Sequence, residues 1–101
     1  MIMRVWRGWT RPEDAADYER YMEEMALPAY GNVEGNLAVY MARRDDGDRV
    51  EFAMFTVWDS IEAIERFAGP DYERAVFFPE DERFLVDKEL TVSHYEIYGS
   101  R

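Results

Sequence analysis

LAVYMARRDDGDRVEFAMFTVW, residues 37–58, reads as two β-rich runs, Leu37 to Arg44 and Arg49 to Trp58, folded back on each other. Val, Tyr, Phe, Thr and Trp suit a pleated backbone, and Asp-Gly between apolar runs marks a hairpin. With the turn placed on Asp46-Gly47, Met41 opposes Phe52, Val39 opposes Met54 and Leu37 opposes Thr56, because paired positions share a face. The other face then holds Ala38, Tyr40, Ala42, Ala53, Phe55 and Val57. Both faces are apolar, whereas an antiparallel sheet usually shows water an alternating polar side.

Working outward, Ile2 to Thr10 is a Pro-free apolar and aromatic run that ends at Thr10-Arg11-Pro12, a first strand. Ala15, Tyr18, Met22 and Met25 then recur every three or four residues among acidic neighbours, which predicts an amphipathic helix. Thr10 and Glu13 have the spacing of a capping box, and Leu27-Pro28 is expected to end or kink the helix. Beyond the hairpin, a second helix is expected from Asp59, with Ile61, Ile64, Phe67 and Ala68 on one side, stopped by Gly69-Pro70. Residues 71–87 should hold two short helical pieces, one with Tyr72, Ala75 and Val76, the other opened by Pro79 with Phe84 and Leu85. Glu89 to Tyr98 closes the chain as a fourth strand.

The order β-α-β-β-α-β, with Trp9-Thr10 and Trp58-Asp59 ending matching strands, predicts one α+β domain over residues 1–101. Its four-stranded antiparallel sheet is ferredoxin-like. Right-handed crossovers put both helices on one side of the sheet. The helix-free face, with Tyr40, Ala53, Phe55 and Val57, is expected to meet a second copy, and Trp6 joins it if Trp9 faces the helices. The other arrangement folds residues 71–87 across that face, with Phe77-Phe78 as a lid.

Twelve Lys and Arg against 22 Asp and Glu give a formal charge of -10, which repels phosphate backbones, so nucleic acid and anionic membranes are poor partners. There is no cysteine and one histidine, which removes disulfides and thiolate chemistry and leaves no zinc site. Asp45-Asp46-Gly47-Asp48 is too tight a turn for a calcium loop and lacks its distal glutamate. The first residues carry Arg4 and Arg7 inside a short apolar stretch, unlike a signal peptide or membrane span, so a cytoplasmic protein is expected.

Arg4-Val5-Trp6-Arg7-Gly8-Trp9, Trp58-Asp59-Ser60 with Ile64 and Phe67, and His94-Tyr95-Glu96 together resemble the antibiotic biosynthesis monooxygenase-like branch of the dimeric α+β barrel superfamily over nearly the whole chain. The resemblance implies a homodimer and a pocket between sheet and helices, with Trp58 at the family's pocket tryptophan. It also implies cofactor-independent oxidation of aromatic, polyketide-type phenols. Met54 stands where those oxygenases carry an asparagine, and Ile64 where a tyrosine is expected. Ala68 stands at the histidine of the haem-degrading members.

Cofactor-free oxygenation needs an acidic phenol or carbon, a group to take its proton or steady its charge, and a dry cavity for dioxygen. By the echo with Trp58, the helix-facing side of the first strand should hold Met3, Val5, Arg7 and Trp9. The expected pocket, of roughly 300 Å³ or more, gathers Arg7, Trp9, Tyr18, Met22, Met54 and Trp58. His94 is the one side chain whose ordinary pKa suits a general base near neutrality, and the mixed alternation of its strand leaves its face open. No cofactor and no metal is expected. A non-catalytic dimeric module that binds a small hydrophobic ligand, or serves a stress-related role, is the alternative function.

Overall fold

The computed structural model describes all 101 residues, Met1 to Arg101. In chain order they form β1 (Ile2–Thr10), a 3-10 turn (Pro12–Asp14), α1 (Ala15–Gly31), β2 (Asn36–Asp46) and β3 (Arg49–Trp58). Then come α2 (Ile61–Ala68), α3 (Asp81–Phe84), β4 (Leu85–Lys88) and β5 (Ser93–Glu96). Every strand pairing is antiparallel. The order runs β2-β3-β1, with β4 and β5 sharing the far side of β1 and β2 as the outer strand. This is the expected α+β, ferredoxin-like architecture, and the sheet of the single chain is open. No helix is long and apolar enough to cross a membrane.

The last strand differs from expectation. Instead of one run from Glu89, two short ones flank a detour, because residues 90–92 bond to the segment before them. The Ala75 amide donates to the Leu90 carbonyl at 2.9 Å and the Val92 amide to the Glu73 carbonyl at 2.8 Å. That segment, expected to be helical around Tyr72, Ala75 and Val76, therefore forms a turn and one bridge. The second helical piece exists as α3, but Leu85 already belongs to β4.

The hairpin turns on Gly47-Asp48, with Gly47 at φ +65° and Asp46 facing Arg49. Met41 thus faces Met54, and Val39 faces Thr56, two residues away from the expected register. A shift of two leaves each side chain on its predicted face.

On β1 the expected faces are exchanged. Trp6 pairs with Met54 and Arg4 with Thr56, so Ile2, Arg4, Trp6, Gly8 and Thr10 lie under the helices, and Met3, Val5, Arg7 and Trp9 point away. The echo of Trp9 with Trp58 fails because Trp58 pairs with Ile2. Trp9 instead donates its indole N–H to Asp46 Oδ2 at 2.9 Å, beneath the Arg49 guanidinium. Gly8 is the residue that allows this arrangement, since a Cβ there would sit 2.7 Å from Trp6 Cη2.

The helix ends also depart from the sequence reading. Thr10 Oγ1 donates to the Arg11 carbonyl at 2.9 Å instead of capping α1, which enters through the 3-10 turn. The helix runs through Pro28 to Gly31, because Ala26 and Tyr30 on either side of the proline are buried and hold the last turn down. At α2 the cap is Ser60, whose Oγ accepts from the Ala63 amide at 3.2 Å, and not Asp59.

Trp6, Tyr18, Tyr30, Met54, Trp58, Ile64 and Phe84 meet in one core between the sheet and the helices. Phe77 packs edge-on against Trp6 at 6.1 Å and Phe78 also joins the core, so residues 71–78 cover the helix side and leave the other face bare. There Tyr40 is 61% and Tyr95 56% exposed. Trp6, considered for that face, is 2% exposed on the opposite one.

Candidate functional site

Of the expected pocket residues, Met22 and Met54 come together. They line a groove of about 260 Å³ between α1 and the β2–β3 hairpin, floored by Met41 and Phe52. Glu19 and Glu23 of α1 and Arg43 of β2 form its rim. Arg43 donates to Glu19 Oε2 at 2.9 Å and lies 5.7 Å over the Phe52 ring, which holds one wall in place.

The other four lie elsewhere. Trp58 is 0% exposed and borders no cavity: its indole N–H donates to Thr56 Oγ1 at 2.8 Å, and Tyr30 and Phe67 pack on its ring. Arg7 and Trp9 are on the opposite side of the sheet. Arg7 reaches Glu51 at 3.6 Å and Glu89 at 3.3 Å, and Arg44 pairs with the same Glu51 at 2.9 Å. Arg7 is therefore neutralised on the helix-free face, and no ligand is needed to explain it.

Tyr18 is buried beside the groove, with its hydroxyl donating to Asp81 Oδ1 at 2.8 Å, while Asp81 Oδ2 accepts the Phe78 amide at 2.7 Å. Burial, reinforced by the Asp81 carboxylate, pushes the Tyr18 hydroxyl far above its ordinary range. It is a structural donor linking α1 to the segment before α3. Asp81→Ala strands a buried hydroxyl and a half-buried amide and should cost about 2–4 kcal/mol in urea unfolding. Asp81→Asn, able to accept one bond and donate the other, should cost less than about 1 kcal/mol. Equal losses for the two variants would contradict this role.

His94 proves to face the helices, in register with Arg4 on β1. Its ring meets Tyr72 edge-on at 5.3 Å, and its buried Nε2 finds no partner. It edges a shallow hollow between β5 and the start of α2, on the far side of β1 from the methionine groove, so it cannot serve as a base there. Burial, with the nearby Arg4 charge, holds its pKa below the usual 6.5, against a smaller opposing pull from Glu73. The folded chain thus resists protonating this ring. Stability is full above the unfolded pKa and falls as pH drops through the folded one. The melting temperature should decline as pH falls below about 7, where the unfolded histidine begins to take up its proton, and His94→Gln should flatten that decline. Parallel curves for wild type and variant would remove His94 as the cause.

The sequence reading missed Arg4, the most deeply buried charge in the chain at 1% exposed. Its Nη2 donates to the Arg74 carbonyl at 3.1 Å and its guanidinium lies 5.6 Å over the Phe67 ring, but Nε has no partner and no carboxylate comes within ion-pair distance. Burial pulls its pKa below the ordinary arginine value. The Tyr30 hydroxyl beside it, pushed by burial up to about 12, stays neutral. Trp6 Nε1, next along the same face, is likewise buried and unpartnered. Each such group costs roughly 1–3 kcal/mol, and a charged one more. The alternation of β1 could not reveal this, because both of its faces carry one arginine and one tryptophan.

A family model described as antibiotic biosynthesis monooxygenase matches residues 1–76. The chain belongs to that family. No curated protein matches the sequence. Among solved structures, a Caulobacter crescentus protein assigned to the antibiotic biosynthesis monooxygenases superposes with a TM-score of 0.71 at 18% identity, over 97% of this chain and 90% of that one. PA3566 from Pseudomonas aeruginosa gives 0.67 at 17%, covering 97% and 94%. A variant of MhuD that holds two manganese protoporphyrin IX molecules per active site gives 0.65 at 17%, covering 100% and 98%. At these identities the likeness speaks for the fold. Within this member of the antibiotic biosynthesis monooxygenase family, Met54 turns the position expected to be asparagine into an apolar groove wall. Ile64, expected to be tyrosine, is fully buried in the core.

Proposed function

We propose that the protein is a cytoplasmic, homodimeric, cofactor-independent monooxygenase that takes a flat phenolic or polyketide-type aromatic into the Met22–Met54 groove. The groove itself carries the reading: thioethers and one ring line it, charges stand only at its rim, and its volume approaches the lower end for small-molecule sites. Arg43 at the mouth would steady a phenolate oxygen, and Glu23, which forms no ion pair, is the rim carboxylate free to accept a proton.

For an anthrone-like substrate the ring methylene gives up both hydrogens and takes one atom of dioxygen as a carbonyl. The other oxygen atom leaves as water with those two hydrogens, so dioxygen is the oxidant and no external reductant is consumed. The bare sheet face supports the homodimer. Tyr40 and Tyr95 are exposed on it and Phe55 is partly so, and no element of the same chain covers them.

Oxygen uptake with quinone formation from an anthrone, lost in a groove-filling Met54→Trp variant that keeps its circular dichroism, is the expected result. Absence of both binding and uptake in the wild type would end the proposal. The distance of His94 from the groove favours one second reading, a dimeric binding module without catalysis. Binding without oxygen uptake would select it.

A further inference from the structure

Arg4, Trp6 and His94 occupy one contiguous patch of the helix-covered face, Arg4 and Trp6 two apart on β1 and His94 directly across from Arg4 on β5. Each has a buried ring or guanidinium nitrogen that no protein atom satisfies: Arg4 Nε, Trp6 Nε1 and His94 Nε2. Two of these side chains are almost wholly enclosed, and one is a cation without a carboxylate. Buried charges in folded proteins are paired or coordinate something, and buried donors find acceptors. The patch supplies two donors from Arg4 and Trp6 and a third group, His94, able to donate when its proton sits on Nε2. What such a set lacks is an oxygen acceptor bearing negative charge.

The surroundings narrow the class. Phe67 lies under the guanidinium, Tyr72 meets the His94 ring and Phe77 meets the Trp6 ring, so aromatic faces border the patch. The roof is the 71–78 segment, which has no helix or strand of its own. It is held here by the Arg4 bond to the Arg74 carbonyl and by its bonds to residues 90–92. Beyond these bonds it is held by the packing of Phe77 and Phe78 and by the Phe78 amide on Asp81, and a segment without regular secondary structure can open locally to admit a small molecule. We propose that this patch is a binding site for a small aromatic carboxylate, its oxyanion on Arg4 and Trp6, its ring among Phe67, Tyr72 and Phe77. The site adjoins the methionine groove on the same face, Trp6 pairing with the groove wall Met54, but Arg4, Trp6 and His94 do not line that groove, so its test does not depend on the oxygenase reading.

The test uses the full chain, sodium benzoate as probe, benzamide as its uncharged isostere and inorganic phosphate as a ring-free oxyanion. Benzoate should raise the melting temperature saturably and perturb tryptophan fluorescence, while benzamide and phosphate do so at least about 10-fold more weakly. Arg4→Met should weaken benzoate binding about 10- to 100-fold and, by removing an unpaired buried charge, should melt no lower than wild type without ligand. His94→Leu, which leaves Arg4 in place, should weaken benzoate about 10-fold, and it carries the test should Arg4→Met fail to fold. Equal response to benzoate and benzamide, a stronger response to phosphate, no response in the wild type, or an undiminished response in either variant would overturn the proposal.

Discussion

Phe55→Glu is expected to turn the proposed homodimer into a monomer. Phe55 sits at the middle of β3 on the helix-free face, across from Tyr40, with the buried Ala53 and Val57 flanking it on the same face. Covering that face with its twin removes apolar area from water at ~25 cal/mol per Å². About 800 Å² per partner gives a gross gain able to exceed the cost of association. A glutamate from each copy near the two-fold axis would be desolvated without a counter-charge, since Arg7 and Arg44 are already committed to Glu51. Glu23→Lys, on α1, should leave the dimer intact. Light scattering should give twice the chain mass for wild type and Glu23→Lys and the single mass for Phe55→Glu. A monomeric wild type at micromolar concentration, or an undisturbed Phe55→Glu dimer, would reassign the face.

Trp58→Ala should be the most destabilising single truncation, about 3–5 kcal/mol, because a fully enclosed indole leaves a large cavity among rings that cannot collapse into it. Tyr30 and Phe67 stack at 4.4 Å against one side, and Thr56 Oγ1 loses its donor. That is a substantial share of the total of about 5–15 kcal/mol for a domain of this size. Trp58→Phe should keep more than half of the lost stability. Urea unfolding reads the difference directly. A loss under about 1 kcal/mol would mean that Trp58 borders open space, as a pocket wall does, and would restore it to the binding site.

The hairpin was legible because its error was harmless: moving the turn from Asp46-Gly47 to Gly47-Asp48 shifts the pairing by two, and period-two side chains keep their faces. β1 was not, since Arg4-Trp6 and Arg7-Trp9 present the same residue types to both sides, and alternation cannot choose between them. The one discriminating residue was Gly8, which has no reason to interrupt an apolar strand unless a large neighbour lies over it. That single exchange of faces moved Arg7 and Trp9 out of the site and hid Arg4. The 71–87 stretch failed for a different reason. Its conformation is set by bonds to residues 90–92 and by Phe77 on Trp6, contacts remote in sequence that local propensity does not encode. Met22 and Met54 share a groove because the helix period sets the one and the alternation of β3 sets the other.

The outer position of β2 has a colloidal consequence. Its free edge is divided in two: Arg43-Arg44-Asp45-Asp46 is charged at every residue, while Leu37 to Ala42 carries no charge over six. Charges on an edge strand discourage the addition of a foreign strand, and an uncharged β-prone run invites it. The overall charge of -10 keeps molecules apart at low salt and is screened over about 8 Å at physiological ionic strength. Precipitation on heating or salting should therefore begin by strand accretion along Leu37–Ala42, and the Arg43–Asp46 end should stay clean.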